Sequence, residues 1–253
     1  MQIDFYHWGC QCPYNEENLL VLHEASKMHA VRTHDVADRP ELTHRVHMYS
    51  PNLTVFDGEL RWNGPLSAAL IEKAATSTIG MAPFSFEQGI KPCRGELVAL
   101  TGESAQLAAA CCAPRGQACL CDGKAAWVQG MLERFGLPHA GFLHRVDGRC
   151  VGGAEFVPSV AVPYPIPKAA DTAFLTCSYS SAPVWDYKSY PLETLERELP
   201  ALGFRSISTV ASEEVFFPNG TLQWFLHRGY RDMGLLYREP ENHASMHLVV
   251  KEL

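Results

Sequence analysis

Long apolar runs are missing from this chain. No segment approaches the roughly 18 consecutive apolar residues that a membrane-spanning helix needs. The opening, MQIDFYHWGC, has no basic stretch leading into an apolar one, so no secretory leader is expected and a cytoplasmic location is the expectation. Positive charge is scarce as well. The 21 Lys and Arg face 28 Asp and Glu, a formal net charge of −7 that gives no general grip on a phosphate backbone and disfavours non-specific nucleic-acid binding. Internal repeats and low-complexity tracts are absent too. What remains is an ordinary globular composition, 47% hydrophobic and 19% charged, in 253 residues that suffice for one large domain or two small ones.

Cysteine is present in an odd number, nine. Without a leader, reduced thiols are expected rather than a disulfide framework, and metal binding or thiol chemistry becomes their natural use. Cys10 and Cys12 stand one residue apart in FYHWGCQCPYN. Cys111, Cys112, Cys119 and Cys121 crowd into CCAPRGQACLC. That second cluster lacks the two-residue gaps that let both sulfurs of a pair face one zinc ion. On a helix, the adjacent Cys111 and Cys112 point about 100° apart. Buried cysteines acting as small hydrophobes are the competing reading, and no metal is assigned.

Two organised stretches flank a seam: residues 1–75, a Gly-, Pro- and Ser-rich connection over 76–94, and residues 95–253. In the first, IDFYHW reads as a buried strand feeding the cysteine loop. Asn15, Glu16 and Glu17 start a helix carried by Leu19, Leu22 and Ala25. HAVRTHDV reads as a strand, PELTHRVHMY as a helix or turn, NLTVFDGELRWNG as a hairpin turning at Asp57-Gly58, and PLSAALIEKAA as a closing helix. The order is βαβαββα.

With CPYN at Cys12 to Asn15 and YSPNLTVFDG around Pro51, this stretch resembles a thioredoxin-like or glutaredoxin-like domain. The resemblance implies that Cys12 is the nucleophilic position and Pro51 a cis-proline. Asn15 stands where the resolving cysteine belongs, so Cys10 is the nearby substitute. A helix N-terminus favours a thiolate, while Glu16 and Glu17 oppose it, and a modestly activated Cys12 is expected. A Cys-x-Cys pair can close a strained disulfide or hold a soft metal. A binding module with idle cysteines is the alternative.

The second stretch begins as strand and helix in GELVALTGESAQLAAACC, followed by the helix KAAWVQGMLERF. HAGFLHRVDGRCVGGAEFVP makes two strands joined at Asp147-Gly148, and DTAFLTCSYSS a third. The helix SYPLETLERELPALGF, the strand SISTVAS, the helix GTLQWFLHRGY and a final pair of strands complete a mixed sheet with helices on both faces. The fold class is α/β.

CCA, KAAWVQGMLERFGL, GRCVGGAEFVP, FLTCSY and WFLHRGYRDMG together resemble the GCN5-related N-acetyltransferase (GNAT) superfamily. More narrowly they are similar to its YoaP-type members, which join such a domain to a thioredoxin-like one. The resemblance implies an acyltransferase that moves an acyl group from a thioester donor, acetyl-CoA or another, to an amine of a small molecule. It also implies that FLTCSY parts from its neighbour strand to admit a pantetheine arm. Glu155 is then the candidate base, and Tyr179 or Tyr190 the candidate acid.

Two landmarks depart from the family pattern. The phosphate loop, SSAPVWDYKSYPLETL, has no glycine, which leaves Lys188, Ser189 and Tyr190 to contact phosphates through side chains. Phe225 occupies the position of the proton-donating tyrosine. Three alternatives stay open. Glu155 is solvent-facing on an edge; the donor is an aminoacyl-tRNA or a carrier-bound acyl group; or the thiols Cys10 and Cys12, with the Cys111–Cys121 cluster, bind or process a soft metal, organometal or electrophile. Among the histidines, His34, His44 and His47 gather in VRTHDVADRPELTHRVHMY. His44 and His47 have helical spacing but no third ligand, and read as surface residues. His227 is a minor acid/base candidate.

Overall fold

The computed structural model describes residues 1–76, 89–112, 121–180, 184–213, 219–240 and 244–253, with the side chains of 109–122 outside the description. The first unit runs β1 (Gln2–His7), α1 (Pro13–Ala25), β2 (Ala30–Asp35), α2 (Glu41–Val46), β3 (Asn52–Phe56), β4 (Leu60–Trp62) and α3 (Ala68–Thr76). Its sheet has the order β2-β1-β3-β4, with β1 parallel to β2 and antiparallel to β3. The period of two along β1 explains its central place. Ile3 and Phe5 pack with Leu22 of α1 and Ile71 of α3, whereas Tyr6 and the following Trp8 enter a different core.

The second unit runs β5 (Lys91–Pro92), β6 (Glu96–Ala99), α4 (Ala105–Cys112), α5 (Cys121–Phe135), β7 (Gly141–Val146), β8 (Arg149–Pro158), β9 (Thr172–Ser180), β10 (Trp185–Asp186), α6 (Ser189–Glu198), β11 (Ser206–Ser212), α7 (Leu222–Leu226), β12 (Arg231–Arg238) and β13 (Ser245–Glu252). Seven strands form one mixed sheet, β12-β13-β11-β9-β8-β7-β6, whose single parallel junction is β9 with β11. Alternation along the strands sorts the two faces. Phe142, Ala154, Phe156 and Leu175 pack with Leu192 and Leu195 of α6 and Phe225 of α7. Leu143 and Tyr179 face Ala105, Ala108, Val128 and Leu132 of α4 and α5.

The first unit docks on the α5 side of this sheet. One core joins Tyr6, Trp8, Leu42 and Leu53 to Val157, Tyr164, Phe174, Val210 and Leu248. Trp8 meets Trp127 edge-on at 5.4 Å and Tyr164 at 5.7 Å. Polar ties cross the same boundary: Thr43 donates to the Pro163 carbonyl at 2.7 Å, and Arg61 pairs with buried Glu239 at 2.5 Å.

Both Asp-Gly turns stand where the sequence puts them. Asp57 and Gly58 have φ of 48° and 80°, Asp147 and Gly148 48° and 74°, the two successive positive values of a tight hairpin turn. Three expectations change. The seam contains β5, which pairs in parallel with β10. α2 stops at Val46, and His47 adopts φ 49° and stacks on Tyr237, so His44 and His47 share no helical face. The helix expected over 220–230 shrinks to five residues, capped by the Thr221 hydroxyl at the Trp224 N–H and closed by Gly229 at φ 82°.

Candidate functional site

The parallel junction opens into a wedge beside a bulge in β9. Glu155 pairs with Cys177 but the next residue, Phe156, pairs with Leu175, which leaves Thr176 as the extra residue of a bulge. A bulge bends its strand and breaks the ladder. β9 accordingly pairs with β11 only from Thr172 to Phe174, against Ser206 to Ser208, and the two strands then diverge. Side chains take over from the backbone. Thr209 donates to the Leu175 carbonyl at 2.9 Å. Farther out, the Asn219 carboxamide spans the gap: its Oδ1 accepts from Ser178 N–H at 3.0 Å and its Nδ2 donates to the Thr209 hydroxyl at 2.8 Å. The Ser178 hydroxyl is buried beside this bridge and has no hydrogen-bond partner among the described residues.

On the α5 side of the wedge lies a buried ion pair. Lys124, in the first turns of α5, donates 2.6 Å bonds to Glu155 Oε2 and to the backbone carbonyl of Gln11. Their side chains are 1% and 5% exposed, which overturns a solvent-facing Glu155. Desolvation opposes the Lys124 charge, yet Glu155 outweighs it and holds the ammonium above its ordinary range. Cys177, the strand partner of Glu155, acts on Lys124 and on the buried Tyr164, as does Cys12 from the first unit. The structure thus brings Cys12 and Glu155 to one junction, which sequence separation concealed.

The thiols there are not activated. Cys12 occupies the N-cap of α1 with Pro13 at the first helical position, where the helix dipole favours a thiolate. Burial is the larger effect and pushes Cys12 up to about 12, against the Tyr14 backbone N–H and Lys124. This corrects the expectation of a modestly activated Cys12. Burial, then Glu16, which accepts from the Cys10 thiol at 3.4 Å, push Cys10 up to about 11. Neither is in a disulfide. Asn15 is fully buried and structural: it donates to the Gly9 and Pro51 carbonyls and accepts from Asn52. No group of three metal-ligating side chains converges among the described residues, and the side chains of Cys111, Cys112, Cys119 and Cys121 lie outside them.

On the α6 side the predicted phosphate contacts are otherwise engaged. Lys188 is 6% exposed and turns inward: Nζ donates to the Asn219 carbonyl at 2.9 Å and lies 4.0 Å from the centroid of the Trp224 ring. Burial lowers its pKa to about 7, with Asp186 pulling upward and Arg228 downward. Asp186 precedes α6, whose N-cap is Lys188, and its Oδ1 accepts from the N–H groups of Ser189 at 3.0 Å and Lys188 at 3.3 Å. The Ser189 hydroxyl bonds both Asp186 and Arg228. The helix N-terminus that would receive an anion already holds a carboxylate. Tyr190 stacks edge-on to His144 at 5.6 Å beneath the Arg94 guanidinium, and Tyr179 packs in the α4–α5 core, so neither aims into the wedge. His227 ends α7, and His34 bonds Asp4, away from the site.

Lys124, Asn219, Trp224 and Asp186 were not singled out as site residues from the sequence. Lys124 was part of the KAAWVQGMLERF motif but was read there as a fold landmark and not as a site residue, and nothing in the sequence distinguished Asn219.

No protein-family model matches the chain, and no curated protein matches it. Solved structures do show similarity over a little under two thirds of the chain. An N-acetyltransferase from Staphylococcus aureus is 15% identical, with 63% of this chain and 99% of that one covered at a TM-score of 0.47. A ribosomal-protein-alanine N-acetyltransferase from Brucella melitensis is 16% identical, covering 62% and 99% at 0.46. The aminoglycoside 6'-N-acetyltransferase from Enterococcus faecium is 10% identical, covering 62% and 96% at 0.43. At such identities and scores the chemistry has to be argued from the residues of this chain.

Proposed function

We propose that this protein transfers an acyl group from a pantetheine-type thioester to an amine of a small molecule. One observation carries the reading: at the Thr176 bulge β9 leaves β11, and beyond the Thr209–Leu175 bond the gap is bridged by the Asn219 carboxamide, set between an N–H of one strand and a hydroxyl of the other. A pantetheine arm is itself a chain of amides. It replaces that bridge group for group, its carbonyl on Ser178 N–H, beside the Ser178 hydroxyl. Glu155, facing the bulge from β8, takes the proton of the attacking amine, and Lys124 fixes its carboxylate. The Gln11–Cys12 loop of the first unit, tied to Lys124, walls the acceptor side.

Asp186 on the α6 N-terminus shapes the choice of donor. A pyrophosphate gains less from a helix end whose Ser189 N–H already bonds a carboxylate, which also repels it. Recognition therefore rests on the pantetheine arm. In calorimetric titration, acetyl-CoA and S-acetylpantetheine are expected to bind within about tenfold of each other, roughly 1.4 kcal/mol, and adenosine 3',5'-bisphosphate not to compete. Absence of heat with both thioesters would remove the transfer reading. Strong competition by the nucleotide would return the phosphates to the leading role.

A further inference from the structure

Thioester transfer expels a sulfur that departs more readily when it receives a proton. Phe225 has none to give, and it is sealed between Trp224 and Tyr230. Resting on the transfer reading above, we propose that Lys188 is the catalytic acid, delivering a proton from Nζ to the leaving thiolate. Its placement makes the case. Nζ reaches the backbone carbonyl of Asn219, the residue whose side chain fills the wedge, and lies against Trp224, the neighbour of Phe225 on α7. A thioester seated in the wedge then has the Glu155 carboxylate on one face of the sheet and the Lys188 ammonium on the other.

The competing donors are committed elsewhere. Lys124 is locked to Glu155 and Gln11. Tyr179 belongs to the α4–α5 core, and Tyr190 stands outside the wedge under Arg94. The charged and titratable groups acting on Lys188 are Asp186 of β10, Arg228 beyond α7 and Cys177 of β9. Together with burial they bring it to about 7, suited to giving up a proton in neutral solution.

The step balances. The amine lone pair forms the C–N bond, the C–S bond breaks with its electrons on sulfur, Lys188 protonates that sulfur, and Glu155 receives the proton from nitrogen. Solvent then reprotonates Lys188 and collects the proton from Glu155.

The test uses the full chain with acetyl-CoA and hydroxylamine, an amine already neutral near pH 7. Because the protonated lysine is the active form, wild-type kcat is expected to fall as pH rises through about 7. Lys188→Met should lower kcat at least ~100-fold, abolish that falling limb, and leave acetyl-CoA affinity within a few-fold. Lys188→Arg keeps a cation and should carry the limb to higher pH, which serves if methionine upsets the fold. A wild type without the limb, or a Lys188→Met that retains both rate and limb while binding acetyl-CoA, overturns the assignment and spares the transfer reading. Failure of wild type to bind acetyl-CoA or S-acetylpantetheine removes both.

Discussion

Cys12 is placed where a helix end favours its anion, yet burial decides its state. The Tyr14 N–H and Lys124 pull the thiol down, and desolvation carries it up to about 12. At pH 8 it is therefore expected to alkylate far more slowly than the half-buried Cys93 and Cys150, as read by peptide mapping after iodoacetamide treatment. Preferential labelling of Cys12 would reinstate a reactive thiol. At this scale the sequence told only part of the story. CPYN located the helix start and Asn15 at its first turn, but the sign of the Cys12 shift is set by burial, in packing that brings Lys124 and Tyr164 beside it from far along the chain.

Among the elements, β8 and β9 do most to make the site. The Asp147-Gly148 turn fixes their neighbouring hairpin, and that dipeptide was legible from backbone sterics alone. The bulge at Thr176 was not, since an inserted residue in FLTCSY leaves no mark on composition or alternation short enough to read. The helix expected beyond residue 219 was over-extended because Gly229 ends it early. The ion pair linking α5 to β8 has a measurable consequence. Lys124→Met strands the Glu155 charge in the interior and should cost about 3–5 kcal/mol of stability. The double substitution Lys124→Met/Glu155→Leu should recover much of that loss in urea unfolding. If the double variant is no more stable than the single one, the pair is not what Lys124 supports.

For the whole molecule, the main fact is the shared core. Tyr6, Trp8 and Leu53 of the first unit pack with Phe174, Val210 and Leu248 of the second, so each covers an apolar face the other would expose. Chemical unfolding is expected to be one transition by both fluorescence and circular dichroism. Trp8→Ala, which removes a 2%-exposed indole from that core, should lower the midpoint by the equivalent of about 3–5 kcal/mol without splitting it. Two separated transitions in the wild type would show that the units fold independently. The Gly-, Pro- and Ser-rich stretch over 76–94 was readable as a change in composition. The docking face was not, because Trp8 and Tyr164 look like ordinary aromatic core in any local window.

The Asn219 bridge bears on how costly ligand entry is. Strands that part without a filler tend to collapse together or take up solvent, and a ligand must then prise them open again. Here Asn219 keeps the two edges at the spacing of one peptide-like group. Under the proposed transfer reading, loading would exchange one set of polar contacts for an equivalent set, with the sheet itself scarcely rearranged.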